Sequence, residues 1–137
     1  MRKDAREAVY KILYAKLFNE NDENFKSEIF IESKLSDKDA EFADELLAVI
    51  SEHDAEIAEN IERLANGYSY GRIYSTVKCA LLIAFAEMKY FGDIPLVVSI
   101  DEAMTLIRLY SDKDGMNFAN GILAAYKKEL EEENATD

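Results

Sequence analysis

The sequence predicts an all-α fold of about seven helices, and three observations carry that prediction. Gly and Pro together number only six in 137 residues, well under average usage, so turn chemistry is scarce. Apolar residues recur at helical spacing along most of the chain, and no segment alternates with the period of two that marks a half-buried strand. Apolar side chains make up 49% of the sequence. At this length roughly two thirds of the unfolded surface can be buried, which suffices for one proper core in one domain.

Each element follows from its pattern. Lys3 to Phe18 carries Ala5, Ala8, Val9, Ile12 and Leu13 on one face and predicts the first helix. Asn19 to Asn24 reads as a polar loop, followed by a short second helix with Phe25, Ile29, Phe30 and Ile31 inward. Ser36, Asp37 and Asp39 mark a third helix start, because serine caps free amides and the helix dipole favours acidic groups in the first turn. Its inward residues are Phe42, Leu46, Leu47 and Ile50. The fourth helix carries Ile57, Ile61 and Leu64 and ends at Asn66-Gly67, where glycine takes the left-handed conformation. Arg72 to Phe91 is apolar around most of its circumference, which predicts a central helix surrounded by others. Pro95 breaks the chain after it and suits the first turn of a sixth helix, with Ile100, Ala103, Met104 and Ile107 facing the core and an end near Tyr110. The polar stretch Ser111 to Gly115 leads into a seventh helix with Phe118, Ala119, Ile122, Leu123 and Tyr126 on one side. Gly121 lies inside that helix at a cost of up to about 1 kcal/mol, so close packing against another helix is expected there. The acidic end, 131–137, is expected to be disordered.

The net charge is −12 and unevenly distributed. Residues 1–16 carry +3, residues 20–59 carry −11, residues 60–128 carry +1 and residues 129–137 carry −5. Screening at physiological salt acts over about 8 Å, so a local basic surface can still meet phosphates if the acidic segment faces elsewhere. The longest uninterrupted apolar run, Cys79 to Ala86, is far shorter than the ~20 residues of a membrane span. The charged N-terminus has no secretory pattern, and a cytoplasmic protein is expected.

Three motifs stand in one order: Ala5-Arg6-Glu7-Ala8 with Leu13-Tyr14; Asp93-Ile94-Pro95 with Val98-Ser99-Ile100-Asp101-Glu102-Ala103; and Phe118-Ala119-Asn120-Gly121. Together they resemble the NusB family of bacterial transcription antitermination factors over nearly the whole chain. The resemblance implies two packed helical subdomains within a single domain over 1–130, with halves of about 1–67 and 68–130. It also implies binding of the boxA element of ribosomal RNA leader transcripts as a single strand, together with NusE, a small-subunit ribosomal protein. Other Nus factors and RNA polymerase would be reached indirectly. No catalysis, cofactor or metal is implied.

On the first helix, at about 100° per residue, Lys3, Arg6, Tyr10 and Tyr14 fall within roughly 80° of one another beside the apolar face. Cations and aromatic rings alternate there, as single-stranded RNA requires, with polar ends expected at the surface. Arg6 and Tyr14 match the family's RNA-contacting helix residue by residue, and Arg2 and Lys3 are what remains of its usual basic run. Asp4 stands where that family is often basic, which weakens the expected affinity. Lys113, Asn117 and Phe118 form a second expected RNA surface, where a helix N-terminus could hold a phosphate.

His53, the only histidine, and Cys79, the only cysteine, have too little chemistry around them for a metal or catalytic site, and Cys79 reads as a small buried hydrophobe. The Asn19 to Asn24 loop lacks the spacing of a calcium loop. The acidic 20–59 segment is expected to favour a basic protein partner. A helical protein adaptor with weakened RNA binding is the competing reading, and a homodimer that buries the basic helix is left open by the sequence.

Overall fold

The computed structural model describes residues 1–18 and 23–136. Among these residues seven α-helices follow one another: α1 (Arg2–Lys16), α2 (Glu23–Glu32), α3 (Asp37–Glu52), α4 (Asp54–Leu64), α5 (Ser75–Tyr90), α6 (Leu96–Tyr110) and α7 (Lys113–Thr136). A single 3₁₀ turn, Tyr70–Arg72, precedes α5. Positions 19–22 of the expected polar loop lie outside the described residues, while Glu23 and Asn24 already belong to α2.

The centre is α5, as its all-round apolar pattern predicts. Every residue from Val77 to Met88 is buried, and the helix packs against α1, α3, α4, α6 and α7. The helix begins at Ser75 rather than Arg72 because the preceding residues wind into the 3₁₀ turn. Phe85 stacks face to face on Tyr126 of α7 with ring centroids 4.0 Å apart, which joins α5 to α7. One continuous core includes Val9 of α1, Leu46 of α3, Ile61 of α4, Leu81 of α5, Ile107 of α6 and Leu123 of α7.

The caps behave as their chemistry requires. The Ser36 side chain accepts a hydrogen bond from the Asp39 amide at 3.1 Å and starts α3. Behind α4, Asn66 and Gly67 both adopt positive φ, +50° and +91°, which turns the chain out of the helix. Lys34 takes the same left-handed conformation behind α2, with the Leu35 amide donating to the Phe30 carbonyl at 3.3 Å. A lysine thus fills the place that glycine usually takes in this helix ending.

Four expectations are corrected. Ile31 is 75% exposed instead of facing inward, because α2 lies mainly against α1 and one neighbour covers only a narrow stripe. On α6 the core face is rotated: Ser99 and Leu106 are buried beside Ala103 and Ile107, while Ile100 and Met104 are half-buried. The acidic end does not fray within the described residues, since α7 continues to Thr136. Leu130 anchors that last stretch in the core, and Lys127 pairs with Glu131 at 3.0 Å one turn on. Gly121 is exposed with open space where a side chain would stand, so close packing is not its reason. The close approach occurs at Gly115, where a Cβ would lie 2.7 Å from Ser111 Oγ and 3.0 Å from the buried Val77 Cγ2. No helix among the described residues is long and apolar enough to cross a membrane.

The two glycines of α7 should therefore respond oppositely to alanine. Gly121→Ala is expected to stabilise the protein by about 0.5–1 kcal/mol through helix propensity. Gly115→Ala should instead be less stable than wild type, because Val77 cannot retreat from a filled core. Urea denaturation of the two variants reads the sign directly.

Candidate nucleic-acid interface

Tertiary packing divides the predicted α1 stripe in two. Lys3 and Tyr14 remain at the surface, with Tyr14 38% exposed. Arg6 is only 4% exposed, and the expectation that its guanidinium faces solvent is corrected. Its Nε donates to Glu87 Oε2 at 2.6 Å and its Nη2 to Glu87 Oε1 at 2.8 Å. Glu87 on α5 is completely buried and accepts a third hydrogen bond from Ser99 Oγ of α6 at 2.9 Å. Arg6 Nη1 also lies 3.9 Å from Glu102, and the guanidinium carbon sits 5.5 Å from the Phe42 ring centre of α3. Tyr10 is likewise buried, its hydroxyl donating to the Thr76 carbonyl at 2.7 Å. Burial pushes that phenol well above its ordinary range, so Tyr10 stays neutral. Arg6 and Tyr10 hold α1 in place, and they leave Lys3, Glu7, Lys11 and Tyr14 on its outer surface.

Two clefts open beside this surface. One of about 360 Å³ is lined by Tyr10, Lys11, Tyr14, Thr76 and Tyr110. The Tyr110 ring at the end of α6 stacks on Tyr10 at 4.9 Å and 23°, so the exposed ring rests on a fixed one. Burial, and then the charge of Glu7, raise the Tyr110 phenol above its usual value. The other cleft, about 310 Å³, is lined by Tyr68, Arg72, Ile73, Tyr74, Val77, Asp114, Gly115 and Phe118. Thr76 and Val77 are neighbours in the first turn of α5 and contribute one to each cleft. Tyr74 is 74% exposed, and Tyr68 meets Phe118 edge to face at 5.4 Å. No lining residue of either cleft comes from the acidic 20–59 segment.

The remaining predicted residues divide between this strip and other places. Lys113 and Asn117 are exposed on the first turns of α7, and Phe118 is half-buried in the second cleft. The amide of Gly115 is already taken by Asp112 Oδ1 at 2.7 Å, and with Asp114 beside it this helix start presents negative charge rather than a vacant phosphate seat. Arg2 stands elsewhere, 4.4 Å over the Phe42 ring and 3.6 Å from Asp93. His53 stacks on Tyr90 at 4.0 Å and 14°, and Cys79 is fully buried, its thiol pushed up to about 12 by burial.

Tyr68, Arg72, Tyr74, Thr76 and Tyr110 were not anticipated from sequence. Three tyrosines within Tyr68 to Tyr74, in a segment with no helical stripe to absorb them, were the available signal. Glu87 inside an otherwise apolar run likewise announced a buried cation, since a fully buried carboxylate requires a partner.

Comparison with known proteins is consistent along the chain. The NusB family model matches residues 3–128. The transcription antitermination protein NusB of Methylacidiphilum infernorum is 32% identical over 93% of this chain and 91% of its own. The crystallised NusB of T. maritima superposes with a TM-score of 0.87 at 31% identity, covering 94% of this chain and 92% of that one. A structure of the antitermination factors NusB and NusE in complex with double-stranded RNA includes a chain that superposes at 0.82 with 28% identity, covering 93% and 96%.

Two outcomes follow from the buried groups. Arg6→Ala or Glu87→Ala alone should lower stability by about 3–5 kcal/mol, because each strands a buried charge. The double variant Arg6→Met/Glu87→Leu should recover most of that loss in the same urea titration. At pH 8 the Cys79 thiol is protonated as well as inaccessible, so iodoacetamide should label it only as fast as the protein unfolds.

Proposed function

The chain belongs to the NusB family, and on that premise we propose that it is a transcription antitermination factor that binds boxA-type RNA together with a NusE-type ribosomal protein. The observation that carries this reading is the pair of aromatic clefts to which neighbouring residues of the first turn of α5 contribute, with no lining residue from the acidic segment. Single-stranded RNA is held by flat rings against its bases and cations against its phosphates. The strip offers both. Tyr14, Tyr110, Tyr74 and Phe118 supply rings, Lys11 and Arg72 supply cations within the clefts, Lys113 adjoins the second through Asp114, and Lys3 is exposed two turns before Tyr10 on α1. Arg6 and Tyr10 serve the same surface from beneath by holding α1 and the Tyr110 ring.

The acidic charge has its own place in this reading. Asp37, Glu41, Asp44, Glu45 and Glu52 of α3 and Asp54, Glu56, Glu59 and Glu62 of α4 are all exposed. Such a face suits a basic protein and speeds encounter with it. RNA and protein thus approach through surfaces of different charge, and further Nus factors and RNA polymerase join through that assembly rather than through a reactive group on this chain.

Fluorescence anisotropy with a labelled boxA-type RNA tests the reading, with and without the NusE-type protein. Tyr14→Ala/Phe118→Ala should weaken binding at least tenfold, since each lost stacking platform removes about 1–3 kcal/mol. About three or four phosphate contacts correspond to a log-log salt slope of roughly −2 to −3 for a single strand, and Lys113→Ala should reduce its magnitude by about 0.7. Capture of the NusE-type protein with no RNA titration in any condition would move the function to a protein adaptor.

A further inference from the structure

Beyond the two clefts, the turn that follows α1 carries aromatic and apolar side chains that the core does not use. Phe18 is 61% exposed, Leu17 beside it is exposed as well, and the Phe18 ring lies 5.1 Å from Tyr14 at an angle of 50°. Isolated surface hydrophobes need no explanation, but an adjoining exposed group of this kind marks a contact surface. The register adds to this. Tyr10 and Tyr14 stand four residues apart on α1, and Phe18 follows four residues later in the turn behind the helix with its ring against Tyr14, so the three rings succeed one another along the chain. Tyr10 is the buried ring that carries Tyr110, Tyr14 lines the open cleft, and Phe18 stands one ring past it.

We propose that Phe18 is a further base-stacking residue, extending the RNA track from the Tyr14 cleft past the end of α1 by one nucleotide. The inference rests on the RNA-binding reading above. A base, rather than a phosphate, suits this position, because the C-terminal end of a helix carries partial negative charge and repels a second anion. Lys11, exposed two turns before Phe18 and lining the Tyr14 cleft, is placed for the preceding phosphate. A flat ring tolerates any base, so Phe18 adds length and affinity to the bound strand without reading its sequence.

The test uses the full chain with boxA-type RNAs carrying the fluorescent base 2-aminopurine at successive positions. One position should be quenched by wild type and released in Phe18→Ala, whose affinity for the full-length RNA falls roughly tenfold. RNA shortened by that nucleotide should bind wild type and Phe18→Ala equally. Phe18→Trp should keep quenching and affinity, whereas Phe18→Leu, apolar without a π face, should behave like Phe18→Ala. Thermal unfolding should be unchanged in all three, since the side chain is mostly solvated. If wild type binds RNA and Phe18→Ala binds it equally, with no position released, the proposal is wrong while RNA binding stands. If Phe18→Leu matches wild type, or the substitutions weaken only capture of the NusE-type protein, the residue belongs to a protein contact and the proposal also fails. Absence of RNA binding by wild type overturns both readings together.

Discussion

The buried ion pair between Arg6 and Glu87 is the constraint on which the rest of the molecule depends. It joins the first helix to the central one through two charge-assisted hydrogen bonds, draws Ser99 of α6 in by a third, and lies beside Phe42 of α3. A carboxylate with no exposure is tolerated only when its lone pairs are satisfied, and here three donors meet it. A buried pair adds little net stability over an apolar replacement, yet it tolerates few arrangements. It therefore sets the rotation of α1 about its own axis: with Arg6 turned inward, Lys3, Lys11 and Tyr14 are turned outward.

That rotation connects stability to the surface. Tyr10 sits one turn after Arg6, and its hydrogen bond to the Thr76 carbonyl fixes α1 against the start of α5. The same ring supports Tyr110. Both clefts are thus built on elements whose positions the core determines, and their rings require little ordering when a ligand arrives. The close approach of Gly115 to Val77 does the same for the second cleft by letting α7 begin against α5.

Charge segregation completes the picture. A chain of net charge −12 would repel a polyanion if its carboxylates were spread evenly. Half of the 28 carboxylates fall instead within residues 20–59, which contribute no residue to either cleft. Within the strip the acidic groups are few, and Asp112 is engaged by the Gly115 amide. The bare charge total therefore says little about which partners this surface can meet.

By itself the sequence determined the helices and most of their apolar faces, because helical periodicity and capping are local properties. The all-round apolar run from Val77 to Met88 could only be a central helix, Ser36 could only begin one, and Asn66-Gly67 could only end one. The family motifs were equally legible, since they are runs of adjacent residues. What tertiary structure alone decided is which polar side chains at the edge of an apolar face turn inward. Arg6 and Lys3 look equivalent on a helical wheel, and they differ only because Glu87, 81 residues further on, arrives beside one of them. Ser99 turned inward and Ile31 outward for the same kind of reason, the presence or absence of a neighbour distant in sequence. The clefts, gathered from α1, α5, α6, α7 and the 3₁₀ turn, depend wholly on such neighbours, because a concave surface is a property of packed helices rather than of any one of them.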